Sequence, residues 1–391
     1  MNTFFSADYV LPVIGEAVKN GVVEITENGV ICNIYAPDDS ILAGKTIKRH
    51  NGIIVPGFVN AHCHLELSHM AGVIPKLTGL VPFLQQVISL RAATKHQVQK
   101  AMKAADKQLY EHGIVAVGDH ANTAISATIK ADSKIHYHTF VEVLGFETEQ
   151  AHQKLAEAKD IANQFDKRAT SITAHAPYSV SKELFKLLDD EAAKLKMPLS
   201  IHNQESEDEN RLFRYKSGQF LDFYQALGRE ITDFKAQARN SLQTFMPYLS
   251  RQTPTLLVHN TYTSAKDIFF IERQGRNVTW CFCPNANLYI EGTLPKVGNF
   301  THYQHKIALG TDSLASNDRL CILSELKTIH QHFPDLSLLE TIKWATINGA
   351  EFLGIAAYYG SLERGKTPGL NLLKHTNGLT LTPDTEVVRL I

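Results

Sequence analysis

Short apolar runs alternate with longer stretches of helical periodicity through most of this chain. The runs occupy residues 53–59, 114–118, 135–143, 171–174, 199–202, 255–259, 278–282 and 306–310. Each has strand length and is bounded by polar or turn-forming residues. Between them, residues 151–165 and 183–195 place apolar positions at helical spacing. Eight such runs with intervening helices, over about 300 residues, predict an α/β fold built as a (β/α)8 TIM-like barrel.

The two ends have a different texture. Residues 22–26 and 30–34 alternate and flank Glu27-Asn28-Gly29. Asn-Gly between alternating runs is a strong hairpin signal. Near the carboxyl end, residues 370–373 and 379–381 flank Asn377-Gly378, and residues 386–391 alternate again. Neither end holds enough strands to be stable alone. The economical arrangement is one small β domain composed of residues 1–55 and 361–391, with the barrel, residues 56–360, between them.

Composition narrows the function classes. With 391 residues at 44% hydrophobic content there is ample material for a large core, and the formal net charge of −1 offers no basic face. Nucleic acid and anionic membranes are therefore not expected partners, and a small molecule is. No apolar stretch approaches the ~20 residues of a membrane span. Met1 to Val10 lacks the basic and apolar regions of a signal peptide. Five cysteines, an odd number, do not read as a disulfide framework, and Cys281 and Cys283 form a C-x-C rather than a C-x-x-C. Reducing, cytoplasmic surroundings are the default, with a homodimer as the default oligomer. The 18 histidines are a surplus that packing alone does not explain.

Those histidines concentrate where a barrel places its chemistry, at the carboxyl ends of the strands. The first run leads into Pro56-Gly57-Phe58-Val59-Asn60-Ala61-His62-Cys63-His64. Two residues apart on a strand, His62 and His64 share a face and can hold one metal ion. The fourth run ends at His175 in His175-Ala176-Pro177-Tyr178-Ser179, and the fifth at His202 in His202-Asn203-Gln204-Glu205. The sixth ends at His259, and the eighth at Asp312 in Gly310-Thr311-Asp312-Ser313. A single strand-end histidine is commonly a satisfied core residue. Five histidines and an aspartate at matching positions make a candidate site. His120 ends the second run in Gly118-Asp119-His120 and is a candidate for the pocket wall. His136 and His138 also alternate, but they begin the third run, away from the mouth, and are discounted as ligands.

The ordered set P-G-F-V-N-A-H-C-H, H-A-P-Y-S-V-S, H-x-x-E, a sixth-strand His and G-T-D-S resembles the amidohydrolase superfamily over nearly the whole chain. The resemblance implies a barrel flanked by a β-sandwich formed from both termini. Binuclear members carry a bridging carboxylated Lys or a Glu at the fourth strand, where this chain has His175. With H-x-x-E, the pattern is similar to the mononuclear deaminase branch. That branch implies that His62, His64, His202 and Asp312 ligate one divalent ion, zinc, with ferrous iron also accepted by such a donor set. Zinc lowers the pKa of a bound water to about 7. Asp312 then takes the water's proton, Glu205 protonates a ring nitrogen beside the attacked carbon, and His259 hydrogen-bonds the water or the product oxygen.

For the substrate, H-A-P-Y, Asp312 to Asn317 and Cys283-Pro284-Asn285-Ala286-Asn287 resemble S-adenosylhomocysteine and methylthioadenosine deaminases. His64-Leu65-Glu66-Leu67-Ser68 resembles 6-aminodeoxyfutalosine deaminases. The implied reaction replaces the exocyclic amine of an adenosine-like nucleoside with oxygen, with aminofutalosine ahead of the thio-nucleosides. His175, Asn287 and Ser313 are then expected near the substrate, and Glu66 is a candidate by position. Arg211 and Arg214 after the fifth strand, or Arg91 in the first long connection, are candidates for a substrate carboxylate, which a guanidinium fork suits. Guanine or cytosine deamination, hydrolysis of a chloro-s-triazine or a cyclic amidine, and a non-catalytic scaffold relative are the competing readings.

Overall fold

In the computed structural model, which describes residues 2–232 and 234–391, the amino-terminal part supplies seven short strands. They are β1 (Thr3–Ser6), β2 (Tyr9–Val10), β3 (Val18–Lys19), β4 (Val22–Ile25), β5 (Ile31–Tyr35), β6 (Ile47–Arg49) and β7 (Ile53–Pro56). β4 and β5 pair antiparallel across Glu27-Asn28-Gly29, as the hairpin signal predicts. Gly29 sits at φ +78°, where glycine carries no Cβ penalty.

Eight strands then follow with helices between them: β8 (Phe58–Cys63), β9 (Ile114–Ala121), β10 (His136–Val143), β11 (Thr170–Ala174), β12 (Leu199–Asn203), β13 (Thr255–His259), β14 (Val278–Phe282) and β15 (Ile307–Leu309). They form two four-stranded parallel sheets, ordered β11-β10-β9-β8 and β12-β13-β14-β15. The sheets approach each other at both pairs of edges. Ser200 N donates to Thr173 Oγ1 at 3.0 Å, and that hydroxyl donates to Ser200 O at 2.7 Å. At the other pair, the amides of Thr311 and Asp312 both donate to His62 O, at 3.0 and 3.1 Å.

The intervening helices include α1 (Leu80–Leu90), α2 (Lys95–Glu111), α3 (Ala127–Asp132), α4 (Ala151–Ala162), α5 (Lys182–Leu195), α6 (Glu207–Tyr215) and α7 (Phe220–Ala226). α5 shows why they form and where they pack. Ser181 caps it by accepting from Leu184 N, and Leu184, Phe185, Leu188 and Ala192 repeat on its buried face. Each fully buried leucine or phenylalanine of such a stripe contributes about 1.5–3 kcal/mol. The helix stops at Lys196, which takes the left-handed conformation at φ +55°.

The chain closes with β16 (Leu370–Lys374) and β17 (Glu386–Arg389). They join the amino-terminal strands in one sheet ordered β17-β16-β7-β2-β3. Two expectations need correction. The run at 53–59 is two strands, not one: β7 pairs with β2 and β16, whereas β8 pairs with β9. The break falls at Gly57, where a Cβ would lie 2.2 Å from Val115 Cγ1 and 2.5 Å from Pro368 O, so the chain crosses between sheets through a gap only glycine fits. Residues 379–381 are not a strand either. Asn377 and Thr380 bond only to each other's backbone, and β17 takes the place beside β16.

None of the described helices is long and apolar enough to cross a membrane. All five cysteines are free.

Candidate active site

Each strand end places its polar residue around one point. His62 and His64, on and just after β8, reach Asp312 Oδ1 with their Nε2 atoms, both at 3.5 Å. His64 Nε2 lies 3.1 Å from His202 Nε2. His202 is aimed by its other nitrogen, since Nδ1 donates to the carbonyl oxygen of His175 at 2.8 Å. That bond leaves the Nε2 lone pair directed at the shared point. His259 Nε2 is 3.6 Å from Glu205 Oε1, and its Nδ1 meets Asn287 Oδ1 at 3.0 Å. His259 and Asp312 both adopt positive φ, +74° and +56°. Such backbone strain in non-glycine residues persists where the surroundings over-determine it, commonly at functional sites.

The donors fit a metal ion. Candidate ligand atoms of His62, His64, His120 and His202 lie within 4.8 Å of one another, and so do those of His62, His259 and Asp312. His62 is fully buried, and neither of its ring nitrogens has a hydrogen-bond partner among the described residues. An unsatisfied buried polar atom is costly. A cation at the point shared with Asp312 satisfies Nε2.

Burial lowers the pKa values of His62 and His202 well below the ordinary imidazole value, leaving neutral nitrogens to ligate. Burial alone would raise Asp312, but the His62 contact and the imidazoles of His64 and His259 outweigh it and hold the carboxylate ionised. Glu205 goes the other way. Burial first, and then the carboxylates of Asp312, Glu291 and Glu209, push it well above the usual carboxyl range. Two carboxyl groups beside one point are thus shifted in opposite directions, Glu205 towards the acid form and Asp312 towards the base.

A cavity of about 290 Å³ opens above this point. His64, His175, His202, Glu205, His259, Asp312 and Ser313 line its polar end. Its outer half is apolar, walled by Leu80, Phe83, Leu84, Val87 and Ile88 of α1 and by Phe223 and Tyr224 of α7. Arg91, at the end of α1, and Arg229, after α7, line it as well. Arg91 has no ion-pair partner among the described residues, and Arg229 lies 3.6 Å from Glu147.

Several sequence candidates fall elsewhere. Arg211 and Arg214 are not on the cavity wall. They lie on α6, where Arg211 faces Asp208 at 3.8 Å and Arg214 pairs with Glu207. Glu66 is buried behind the wall and accepts from Asn122 N and Thr123 Oγ1. His120 is also behind it, with both ring nitrogens engaged, Nδ1 by Glu142 at 3.1 Å and Nε2 by Ser200 Oγ at 2.8 Å. Asn287 supports His259 rather than facing the cavity.

Sequence reasoning missed Glu142 and Asn122. Glu142, near the end of β10, takes His120 on one oxygen and Asn122 Nδ2 on the other at 2.9 Å, and both residues line the cavity. Neither belongs to a motif. The available signal was position alone, a carboxylate near the end of the third strand.

The amidohydrolase family matches residues 53–390. Among curated relatives, the adenosine deaminase of Helicobacter pylori is 27% identical over 328 residues, covering 82% of this chain and 79% of that protein. The aminodeoxyfutalosine deaminase of a Nitratiruptor species is 26% identical over 348 residues, covering 85% and 82%. Among solved structures, Helicobacter pylori aminofutalosine deaminase in complex with methylthio-coformycin shares the fold with a TM-score of 0.81 at 23% identity, covering 97% of this chain and 93% of that one. An adenosine deaminase from Xanthomonas campestris with bound zinc gives 0.75 at 22% identity, covering 95% and 84%. With one family spanning most of the sequence and one fold spanning nearly all of the structure, the chain belongs to the amidohydrolase family.

Proposed function

We propose that this chain is a metal-dependent hydrolytic deaminase that replaces the exocyclic amine of an adenosine-like nucleoside with oxygen and releases ammonia. The observation that carries the reading is the gathering of Glu205, His259 and Asp312 with His64 and His202 at one end of a cavity, where burial favours the acid form of Glu205 and the neighbouring imidazoles favour the ionised form of Asp312. The names of the curated relatives, deaminases of adenosine and of aminodeoxyfutalosine, point the same way.

His62, His64, His202 and Asp312 would hold one divalent ion, zinc by the mixed nitrogen and oxygen donor set, with ferrous iron as the second choice. When bound, the ion supplies Lewis acidity that brings the pKa of a water near 7. The chain's own residues do the rest. Asp312 accepts the water's proton as the oxygen adds to the ring carbon bearing the amine. Glu205 gives its proton to the adjacent ring nitrogen, so the electron pair of the broken C=N bond is neutralised as it forms. His259, beside Glu205, hydrogen-bonds the oxygen as it adds. The proton held on Asp312 then passes to the exocyclic amine, the added hydroxyl gives its proton to Glu205 as its oxygen forms the C=O bond, and the C–N bond breaks so that ammonia leaves while the ring nitrogen keeps the proton it received. His175 lines the cavity with Nδ1 engaged by Ser179 Oγ at 2.7 Å, so its Nε2 is free to meet the base.

The outer half of the cavity favours one substrate among the candidates. Among the described residues its only charged ones are Arg91 and Arg229, and the carboxylates of the described wall, Glu142, Glu205 and Asp312, are at the polar end. A bare base leaves the apolar half unfilled. Among the described residues of that half, a zwitterionic tail finds no partner for its ammonium. An apolar 5′ substituent ending in an anion suits it, which keeps aminofutalosine ahead of the thio-nucleosides.

The same reading takes the two parallel sheets as one closed (β/α)8 barrel over residues 56–360, which the hydrogen bonds at both pairs of edges support. Residues 1–55 and 361–391 form the companion β-sandwich, supported by the sheet that β16 shares with β7 and β2. Five free thiols suit a reducing compartment.

The test is ammonia release from zinc-loaded protein offered 6-aminodeoxyfutalosine, S-adenosylhomocysteine, methylthioadenosine, adenosine, guanine and cytosine, with Glu205→Gln as the control. Turnover of an adenine nucleoside that is lost in the control supports the reading. Turnover of bases alone, or none with metal bound, removes it.

A further inference from the structure

Strand β8 does not keep an even register with β9 where His62 and His64 lie. Asn60 pairs with Val117 and the next pairing is Cys63 with Asp119, so three steps along β8 face two along β9. An extra residue of this kind is a bulge, which breaks the ladder and re-aims side chains. Gly118 makes room for it, since a Cβ there would lie 2.6 Å from Ala61 O. On its other side, β8 is tied down by Asn60, which exchanges hydrogen bonds with Thr311. On the β9 side, the ladder is interrupted just before His64.

A buried ion pair takes over there. Asp119 Oδ1 accepts the backbone N–H of Leu65, the residue after His64, at 2.7 Å. Its Oδ2 lies 2.6 Å from Lys130 Nζ on α3, and Lys130 also donates to Thr139 Oγ1 on β10 at 3.0 Å. Asp119 and Lys130 are both buried, and neither lines the cavity. A buried ion pair is a poor device for stability alone, because apolar residues of similar volume commonly serve as well. What apolar residues cannot do is hold the Leu65 amide.

We propose that the Asp119–Lys130 pair is a positioning device for His64, fixing the amide directly after that residue and so aiming its imidazole at the metal point. The proposal rests on the reading of His64 as a ligand. Neither residue touches substrate, and their effect passes through the geometry of the coordination site.

Cobalt(II) in place of zinc reports that geometry through its visible absorption, independently of turnover. The variant Asp119→Leu/Lys130→Met removes both charges and the acceptor. It is expected to keep the thermal midpoint of the metal-free chain near wild type, yet bind cobalt about 10–100-fold more weakly, with an altered absorption band. A folded double variant with wild-type cobalt affinity and band would overturn the proposal. If that variant does not fold, Thr139→Val carries the test by removing Lys130's second acceptor. A several-fold loss of affinity supports the proposal, and wild-type values overturn it. A wild-type chain that takes up no cobalt overturns the underlying metal reading, and the positioning role with it.

Discussion

His64 and His202 come from strand ends 138 residues apart, and their Nε2 atoms stand 3.1 Å from each other. Without a cation, only a proton shared between them relieves the contact, because His202 has already committed Nδ1–H to the His175 carbonyl. A divalent ion does so for both at once. Loading is therefore expected to stabilise the fold by about 4 kcal/mol at a free metal concentration a thousandfold above Kd. Chelation should lower the thermal midpoint, and zinc should restore it. His202→Ala should lose the ion and most of this shift, as read by elemental analysis and calorimetry. A midpoint indifferent to chelator would remove His64 and His202 as ligands.

Glu205 is raised well above the usual carboxyl range by burial and by the charge of Asp312. Its acid form is the working form, so kcat/KM falls as pH rises through its pKa. Glu205→Gln keeps the shape but has no transferable proton. It should lower kcat by about 10²–10⁴-fold while leaving metal content intact, and it should abolish the high-pH limb of the profile. A variant that keeps that limb would assign it to another group.

Much of this site is readable in the sequence because each strand end carries its chemistry locally. His-x-His, H-x-x-E and G-T-D-S are each a few residues long, and an apolar run marks where each strand stops. The parts that escape are set by direction rather than composition. Arg211 and Arg214 follow the fifth strand closely, yet the turn of α6 sets them against Asp208 and Glu207 on the same helix. Arg91, a candidate from the sequence, does reach the cavity because α1 ends at its wall, whereas Arg229, which the sequence does not single out, reaches it because α7 ends there too. The run at 53–59 is continuous in hydrophobicity, and only the space available at Gly57 divides it between two sheets. Periodicity does not report such a transfer.

Arg91 and Arg229 separate substrates by their tails. A hydrogen bond to a charged group is worth about 1.5–3 kcal/mol. Arg91→Leu should therefore raise KM by about 10–100-fold for a nucleoside with an anionic 5′ substituent. It should leave methylthioadenosine unchanged and kcat nearly so. Arg229, which Glu147 partly occupies, should show a smaller effect. Equal losses on neutral and anionic substrates would instead point to a change in packing.

Glu209 offers a stability test away from turnover. Burial pushes its carboxyl up to about 7, against hydrogen bonds from Ser241 Oγ and the amides of Gln204 and Glu205 that oppose the rise. Between the ordinary value of 4.5 and this one, the folded chain holds a proton that the unfolded chain has released. Folding stability contributed by the neutral acid is then complete below 4.5 and lost as pH rises towards 7. The loss is about 1.4 kcal/mol per pH unit, or about 3 kcal/mol in all. Glu209→Gln is neutral throughout. Its stability relative to wild type should climb by that amount from pH 4.5 to 7 in denaturant titrations. A constant difference would mean that Glu209 titrates alike in both states.

Gly310 follows β15 directly and opens the G-T-D-S turn that delivers Asp312, and it packs against the end of β8. A Cβ there would lie 2.7 Å from His62 Cβ, 2.9 Å from His62 O and 3.0 Å from Cys283 Sγ. All of these neighbours are buried, so none can swing aside into solvent. Gly310→Ala must therefore displace the backbone of His62, at about 1–3 kcal/mol of overpacking strain. His62 O also anchors the amides of Thr311 and Asp312, so one methyl group shifts two proposed ligands together. The expected outcome is a folded protein with a lowered midpoint that retains far less metal than wild type. Gly298→Ala, where a Cβ meets nothing within 4 Å, is the matched control and should retain it fully. Full metal retention in Gly310→Ala would show that the β8 and β15 ends can separate without cost to the site.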